Sequence, residues 1–375
     1  MLKDKAVVVK IGGSLLKDGK SYIKIAEQLK TKFSEKGTNL IVVVSAMKGI
    51  TDKLIEAYNG SIGALQEVTN KCEEAAEHIG GSKLKRKVCE ELIRLEATFK
   101  LAFTKDPIIK DLILSFGERI SKKLLVEALT LCGVKAVSLD AIELIKTDDT
   151  HGNASIEYRD TYKRIVTSIP ILLNENVVPV IEGFIGSTSH GVITTLGRGG
   201  SDYTATTIAA LLGINEVYLI TDMPGIMTAD PKYVPSAKVV SEISYVEAIE
   251  ASLYGGKRLH PRTFHPLINI YSSTVRIGSL ENVGTAIVKS LDIAKRGRPK
   301  LMTYKFRLDH VYIALIGEGI HEHSVISEII SYVNKSNLNY EGFYTFKNRP
   351  SIVFLFKNEL LEKALNTLHN LLLGK

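Results

Sequence analysis

Residues 194–213, TTLGRGGSDYTATTIAALLG, place an arginine, three glycines and an aspartate around the start of a helix-patterned segment. Gly197, Gly199 and Gly200 allow backbone to approach a bound group closely. Arg198 carries a planar fork suited to a two-point grip on a carboxylate. Ser201 is expected to cap the helix and Gly213 to close it. Asp202 can orient a cation, and Lys10 offers one. Lys10 lies in the apolar run AVVVKI (6–11), and Gly12 and Gly13 follow it. A glycine turn after a strand exposes successive backbone N–H groups that can bind phosphate oxygens. A lysine beside that turn can neutralise a transferring phosphoryl group. A glycine pair here also serves as a plain turn, and the P-loop spacing GxxxxGK[ST] is absent.

Three further segments carry candidate groups. VVSAMKGITDKL (43–54) offers Ser45, Gly49 and Thr51 where a strand pattern gives way to a helix pattern. LSFGERISKKLL (114–125) sets Gly117, Glu118 and Arg119 at an expected helix start. Glu118 there is either a favourable first-turn carboxylate or a grip for an ammonium group. TDMPGIMTADPK (221–232) follows a strand pattern and holds Asp222, Pro224, Gly225, Asp230 and Lys232. Such an elaborate loop is of the kind that carries function.

These groups need a scaffold. AVVVKI and LIVVVSA (40–46) are short, continuous and β-branched, as in strands buried on both faces. The helix pattern between them completes a β-α-β unit. VKAVSL (134–139), VVPVIEG (177–183) and EVYLIT (216–221) are further strands, and residues 64–104 form a charged helical excursion. Helices are expected near 118–131, 157–169, 202–212 and 244–252. The alternation predicts a three-layer α/β sandwich with a mostly parallel sheet. LDIAKRGRPK (291–300) is basic with Gly and Pro, and is read as a linker. Beyond it, strand and helix patterns follow in the order β-α-β-β-α, with no clear closing strand. The expected organisation is a catalytic domain over 1–290, a linker over 291–302 and a small α+β module over 303–375.

Bulk properties narrow the classes. The chain has 375 residues and a formal charge of +7, a field that suits anionic substrates or nucleic acid and identifies neither. Cys72, Cys89 and Cys132 form no CxxC, which argues against a disulfide framework or zinc site and fits a reducing cytoplasm. The N-terminal stretch lacks a signal-peptide pattern, and no run of about 18 apolar residues suggests a membrane span. No nucleic-acid or membrane partner is expected.

Taken in order, KIGGS, VVSAMKGIT, SFGERIS, TDDTHGNA, GFIGSTSHGVITTLGRGGSDYTA, TDMPGIMTADP and GGKRLHP resemble the aspartate kinases of the amino acid kinase family. TLGRGGSDYTA is the most specific of these motifs, and the C-terminal module resembles an ACT domain, with a ferredoxin-like fold. The resemblance implies transfer of a phosphoryl group from ATP, with Mg²⁺, to the side-chain carboxylate of L-aspartate. It places the activity in amino-acid biosynthesis, toward lysine and threonine. It implies that Lys10 stabilises the transferring group, with Gly12 and Gly13 beside it, and that Asp202 organises Lys10. It assigns Arg198 to the substrate carboxylate and Glu118 to its ammonium. Ser45, Thr51, Phe184 and Ser201 would line the amino acid pocket. Thr221, Asp222, Met227, Lys232 and Lys257 would hold the nucleotide, and no dedicated protein metal site is implied. A homodimer is expected from pairing of the ACT-like modules.

The chain departs from the family pattern at KIGGSL, where KFGGTS is usual, so that Leu15 replaces a hydroxyl. Met227 stands where an aromatic is frequent, and one ACT-like module is apparent where two are common. The alternative acceptor is another amino acid, such as homoserine through its hydroxyl. A non-catalytic amino acid sensor is the remaining alternative.

Overall fold

A computed structural model describes residues 5–256, 259–336 and 338–373. Its contacts divide the chain into two units, Met1–Asp222 with Pro266–Ser273, and Met223–His265 with Thr274–Lys375.

In the first unit the elements run β1 (Ala6–Ile11), α1 (Gly19–Lys32), β2 (Asn39–Val44), α2 (Ile50–Tyr58), α3 (Ile62–Phe99), α4 (Pro107–Leu131) and β3 (Ala136–Leu139). They continue with α5 (Ala141–Leu144), α6 (Tyr158–Asn174), β4 (Val178–Glu182), β5 (Ile185–Ser187), β6 (Ile193–Thr195), α7 (Gly200–Leu212) and β7 (Glu216–Ile220). Five strands lie in the order β3-β4-β2-β1-β7, every neighbouring pair parallel. All residues of β4, and all but one each of β1 and β2, are buried. Burial of successive residues means that both sheet faces are covered, which explains the continuous apolar runs. α4 packs on β2, β3 and β4 with α1 beside it, and α7 packs on β1, β2 and β7 with α6 beside it.

One expectation changes here. α4 starts eleven residues before Glu118, with Asp106 as its cap and Pro107 in its first turn, so Glu118 lies mid-helix. Gly117 does not mark the helix start; it lies where the helix passes against Ala46, and a Cβ on it would lie 3.0 Å from the Ala46 Cβ. The excursion is a single helical run broken at Gly80 and Gly81.

The second unit contains β8 (Glu242–Ser244), α8 (Tyr245–Leu253), β9 (Thr274–Gly278) and β10 (Thr285–Val288); a short helix, α9 (His265–Asn269), falls at the change of unit. β10 runs antiparallel to β9 and parallel to β8. Then follow β11 (Leu301–Arg307), β12 (His310–Ile316), α10 (His323–Lys335), β13 (Gly342–Thr345), β14 (Ser351–Lys357) and α11 (Leu361–Leu372). These four strands form an antiparallel sheet in the order β11-β12-β14-β13. The order β-α-β-β-α omits β11. Its alternating LMTYKFR leaves the last three residues exposed, and it sits beside β12 at the edge open for a closing strand. The result is a small α+β sheet of the ACT-like kind, with Val311, Ile313, Phe354 and Phe356 packed against α10 and α11.

Candidate active site

The candidate residues of the first unit gather at the carboxyl ends of its parallel strands, where open α/β sheets bind ligands. Lys10 is the penultimate residue of β1, and its Nζ lies 2.7 Å from the Asp202 carboxylate in the first turn of α7. Both side chains are about one-sixth exposed, at 15% and 16%, so the pair is partly shielded from water. α7 begins differently from expectation. Gly199, with φ of 75°, takes the cap position, and Ser201 is buried inside the first turn. No side chain caps this helix, so the positive end of its dipole is open to an anion, while the Gly200 N–H is already taken by the Gly197 carbonyl at 3.0 Å. Gly213 closes the helix at φ of 65°.

Ser201 is fixed by a close approach. A Cβ on Gly183 would lie 2.5 Å from the Ser201 Cβ and 2.7 Å from its Cα, so only glycine lets the end of β4 meet α7. Phe184 follows with φ of 70°, a strained backbone for a bulky residue, and its carbonyl accepts from Leu196 N–H at 2.8 Å. Arg198 is exposed and makes no ion pair among the described residues, so its fork is available to a ligand.

Glu118 is 3% exposed. One carboxylate oxygen accepts from Ala46 N–H at 3.2 Å, and the other has no hydrogen-bond partner among the described residues. Burial is the main cause that raises its pKa to about 8, and the neighbouring Glu182 adds to it. An ammonium group would complete the unpartnered oxygen and stabilise the ionised form. Behind it, buried Lys122 pairs with Glu182 at 2.6 Å and with Asp140. Burial raises the pKa of Glu182 while Lys122 opposes the rise. Ser45, after β2, has its carbonyl held by Ser121 Oγ at 2.7 Å, and Thr51 lies half-buried in the first turn of α2.

On the other side of β1, Gly12 donates its N–H to the Ile220 carbonyl at 3.0 Å. It therefore contributes no N–H to a ligand, contrary to the expected run of free N–H groups. Gly13 opens a one-turn 3₁₀ helix that ends at Leu15, which is half-buried. Asp222 accepts from Ser14 Oγ at 3.1 Å and from Thr221 Oγ1 at 3.0 Å. Ser14, Gly183 and the Lys122–Glu182 pair are absent from the sequence-derived site. Ser14 was legible as the hydroxyl that remains in KIGGS. The other two depend on contacts that no local pattern marks.

Met227 and Lys232 belong to the second unit and line a cavity of about 410 Å³ there. Its wall is mostly apolar, with Ile226, Ala229, Leu259, Ile277 and Met302. Lys232 is exposed, with its ammonium 5.0 Å from the centre of the Tyr233 ring. Lys257 lies outside the described residues. No cluster of three or more His, Cys, Asp or Glu able to hold a metal occurs among the described residues.

The amino acid kinase family model matches residues 5–279. The chain belongs to the amino acid kinase family. It is 34% identical over 269 residues to the lysine-sensitive aspartokinase 3 of Escherichia coli (strain K12), covering 70% of this chain and 59% of that protein. It is 35% identical over 256 residues to the aspartokinase of Geobacillus stearothermophilus, covering 68% and 52%. The matches thus span between about half and three fifths of these relatives' length. The structure of E. coli aspartokinase III in complex with aspartate and ADP, described as the R-state, superposes with a TM-score of 0.74 at 26% identity. That match covers 97% of this chain and 84% of the other.

Proposed function

We propose that this chain is an ATP-dependent kinase that phosphorylates the side-chain carboxylate of L-aspartate to 4-phospho-L-aspartate. The observation that carries the reading is the Lys10–Asp202 pair at the uncapped start of α7, in the same unit as the buried, half-satisfied carboxylate of Glu118. The aspartokinase relatives support the choice of acceptor within the family.

In this reading Arg198 binds the α-carboxylate and Glu118 the α-ammonium, with Ser45, Thr51, Phe184 and Ser201 around them. A free side-chain carboxylate has a pKa of about 3.9, so it is already a nucleophile at neutral pH and needs no base. One of its oxygens attacks the γ-phosphorus as the bond to the β-bridging oxygen breaks, and ADP leaves. The protein aligns the two reactants and neutralises charge. Lys10 meets the charge on the transferring group, and Asp202 holds Lys10 in place. Thr221, Asp222, Met227, Lys232 and Lys257 hold the nucleotide. Mg²⁺, when bound with ATP, supplies further charge neutralisation. Asp222, an exposed carboxylate with Ser14 and Thr221 beside it, is a hard-oxygen donor that fits this ion.

The proposed organisation is a catalytic region over 1–290, a linker over 291–302 and an ACT-like module over 303–375, assembled as a homodimer through that module. A cytoplasmic setting fits the three free cysteines, and no helix among the described residues is long and apolar enough to cross a membrane.

The test is product formation with Mg·ATP in the presence of hydroxylamine. An acyl phosphate formed from aspartate is trapped as a hydroxamate. Phosphorylation of homoserine consumes ATP without forming one. Turnover of homoserine alone would keep the family and overturn the named acceptor.

A further inference from the structure

The loop over 223–240 carries Met227 and Lys232, and five hydrogen bonds tie it to the C-terminal part of the second unit. Met302 N–H of β11 donates to the Thr228 carbonyl at 2.7 Å. Tyr304 of β11 donates its hydroxyl to Asp230 at 3.2 Å. Asn366 of α11 donates its amide to the Tyr233 carbonyl at 2.7 Å. His369 of α11 has Nε2 at 2.9 Å from Thr228 Oγ1, and Nδ1 is 3.4 Å from Ser236 Oγ. Ala229 and Val234 of the loop are buried in the same apolar cluster as Leu365 and Leu368 of α11.

His369 is fully buried within that cluster. A buried imidazole is costly unless its nitrogens are paired. Thr228 Oγ1 also accepts from Lys238 N–H at 3.0 Å, so the hydroxyl that meets Nε2 is itself held by the loop. Both nitrogens thus fix positions on the loop, one on each side of Lys232. An apolar residue would fill the space without setting that register.

We propose that His369 and Asn366 are positioning residues for the nucleotide, acting through the 223–240 loop, so that the ACT-like module sets ATP affinity independently of the acceptor. The proposal rests on the reading of Met227 and Lys232 as nucleotide contacts.

The experiment uses the full chain, with ADP binding measured by calorimetry and KM measured separately for ATP and for the amino acid. His369→Leu keeps an apolar core and removes the link. Asn366→Ala, at a half-buried position, removes the second link at smaller risk to folding. Each is expected to weaken ADP binding and raise the ATP KM by about fivefold, the scale of one lost hydrogen bond. The amino acid KM should stay unchanged. His369→Gln, which can still bond Thr228, should recover part of the loss. Unchanged ADP affinity in folded variants overturns the proposal, as does an equal rise in both KM values. If His369→Leu does not fold, Asn366→Ala decides. Lys232→Ala separates the two levels. If it leaves ADP affinity unchanged, the nucleotide reading of the loop fails and the proposal falls with it. If it weakens ADP while the α11 variants do not, the proposal alone fails.

Discussion

An ordinary glutamate has a pKa of about 4.3, whereas burial lifts that of Glu118 to about 8. Between those values the folded chain holds a proton that the unfolded chain has released. The sign follows: stability falls as pH rises through this window and does not recover above it. A bound ammonium favours the carboxylate, so acceptor binding below pH 8 releases a proton. The amino acid KM should therefore fall as pH rises from 6 to 8, by up to about tenfold per unit. In Glu118→Gln that dependence should vanish, with a higher KM throughout and a higher melting temperature at pH 8 without ligand. A parent-like pH profile in this variant would remove Glu118 from the ammonium site. Lys10 lies on the other side of the chemistry. Lys10→Ala should lower kcat by about 10²–10³, by analogy with loss of an oxyanion donor. A raised KM at normal kcat would mean that another cation serves the transferring group. Lys10 and Asp202 could be picked from the sequence because their types and flanking glycines suggest phosphoryl chemistry. The unusual state of Glu118 could not, since it arises from what α4 and β2 pack around it.

The strands of the first unit were legible because a parallel sheet buried on both faces leaves continuous apolar runs, as in VVVKI and LIVVV. The start of α4 was not legible, because Gly117 reads as punctuation when seen without Ala46. β11 was hidden for a related reason, since its second half, Lys305 to Arg307, is exposed at a sheet edge and reads as a continuation of the linker. Glycine at close approaches also yields a prediction. Gly183→Ala places a methyl group where the Ser201 backbone stands, so the first turn of α7 must move. Overpacking of this kind costs about 1–3 kcal/mol. The chain should still fold, while kcat/KM for the amino acid falls at least tenfold, because Arg198, Ser201 and Asp202 move with that turn. Unchanged activity would show that the start of α7 tolerates displacement and is not a precise acceptor site.

At the scale of the whole chain, motif order was enough to predict an α/β domain followed by an ACT-like module, because each is built from local patterns. What no local pattern reveals is that residues far apart in sequence share one core. Ala229 and Val234 are buried with Val311, Phe354 and Leu368, so the module from 303 onward completes the packing of a loop some seventy residues earlier. A chain cut after residue 300 would expose those side chains and lose the bond from Met302 to Thr228. Burying a Val or Leu side chain contributes about 1.5–3 kcal/mol, so the uncovered loop should lose its fixed conformation. The truncated chain is therefore expected to melt at a lower temperature and to bind ADP at least tenfold more weakly than the full chain. Acceptor affinity should suffer less, since the residues proposed to bind the amino acid all belong to the first unit. Calorimetric titration of both chains with ADP and with aspartate checks this. Equal ADP affinity in the two would make the module an independent attachment.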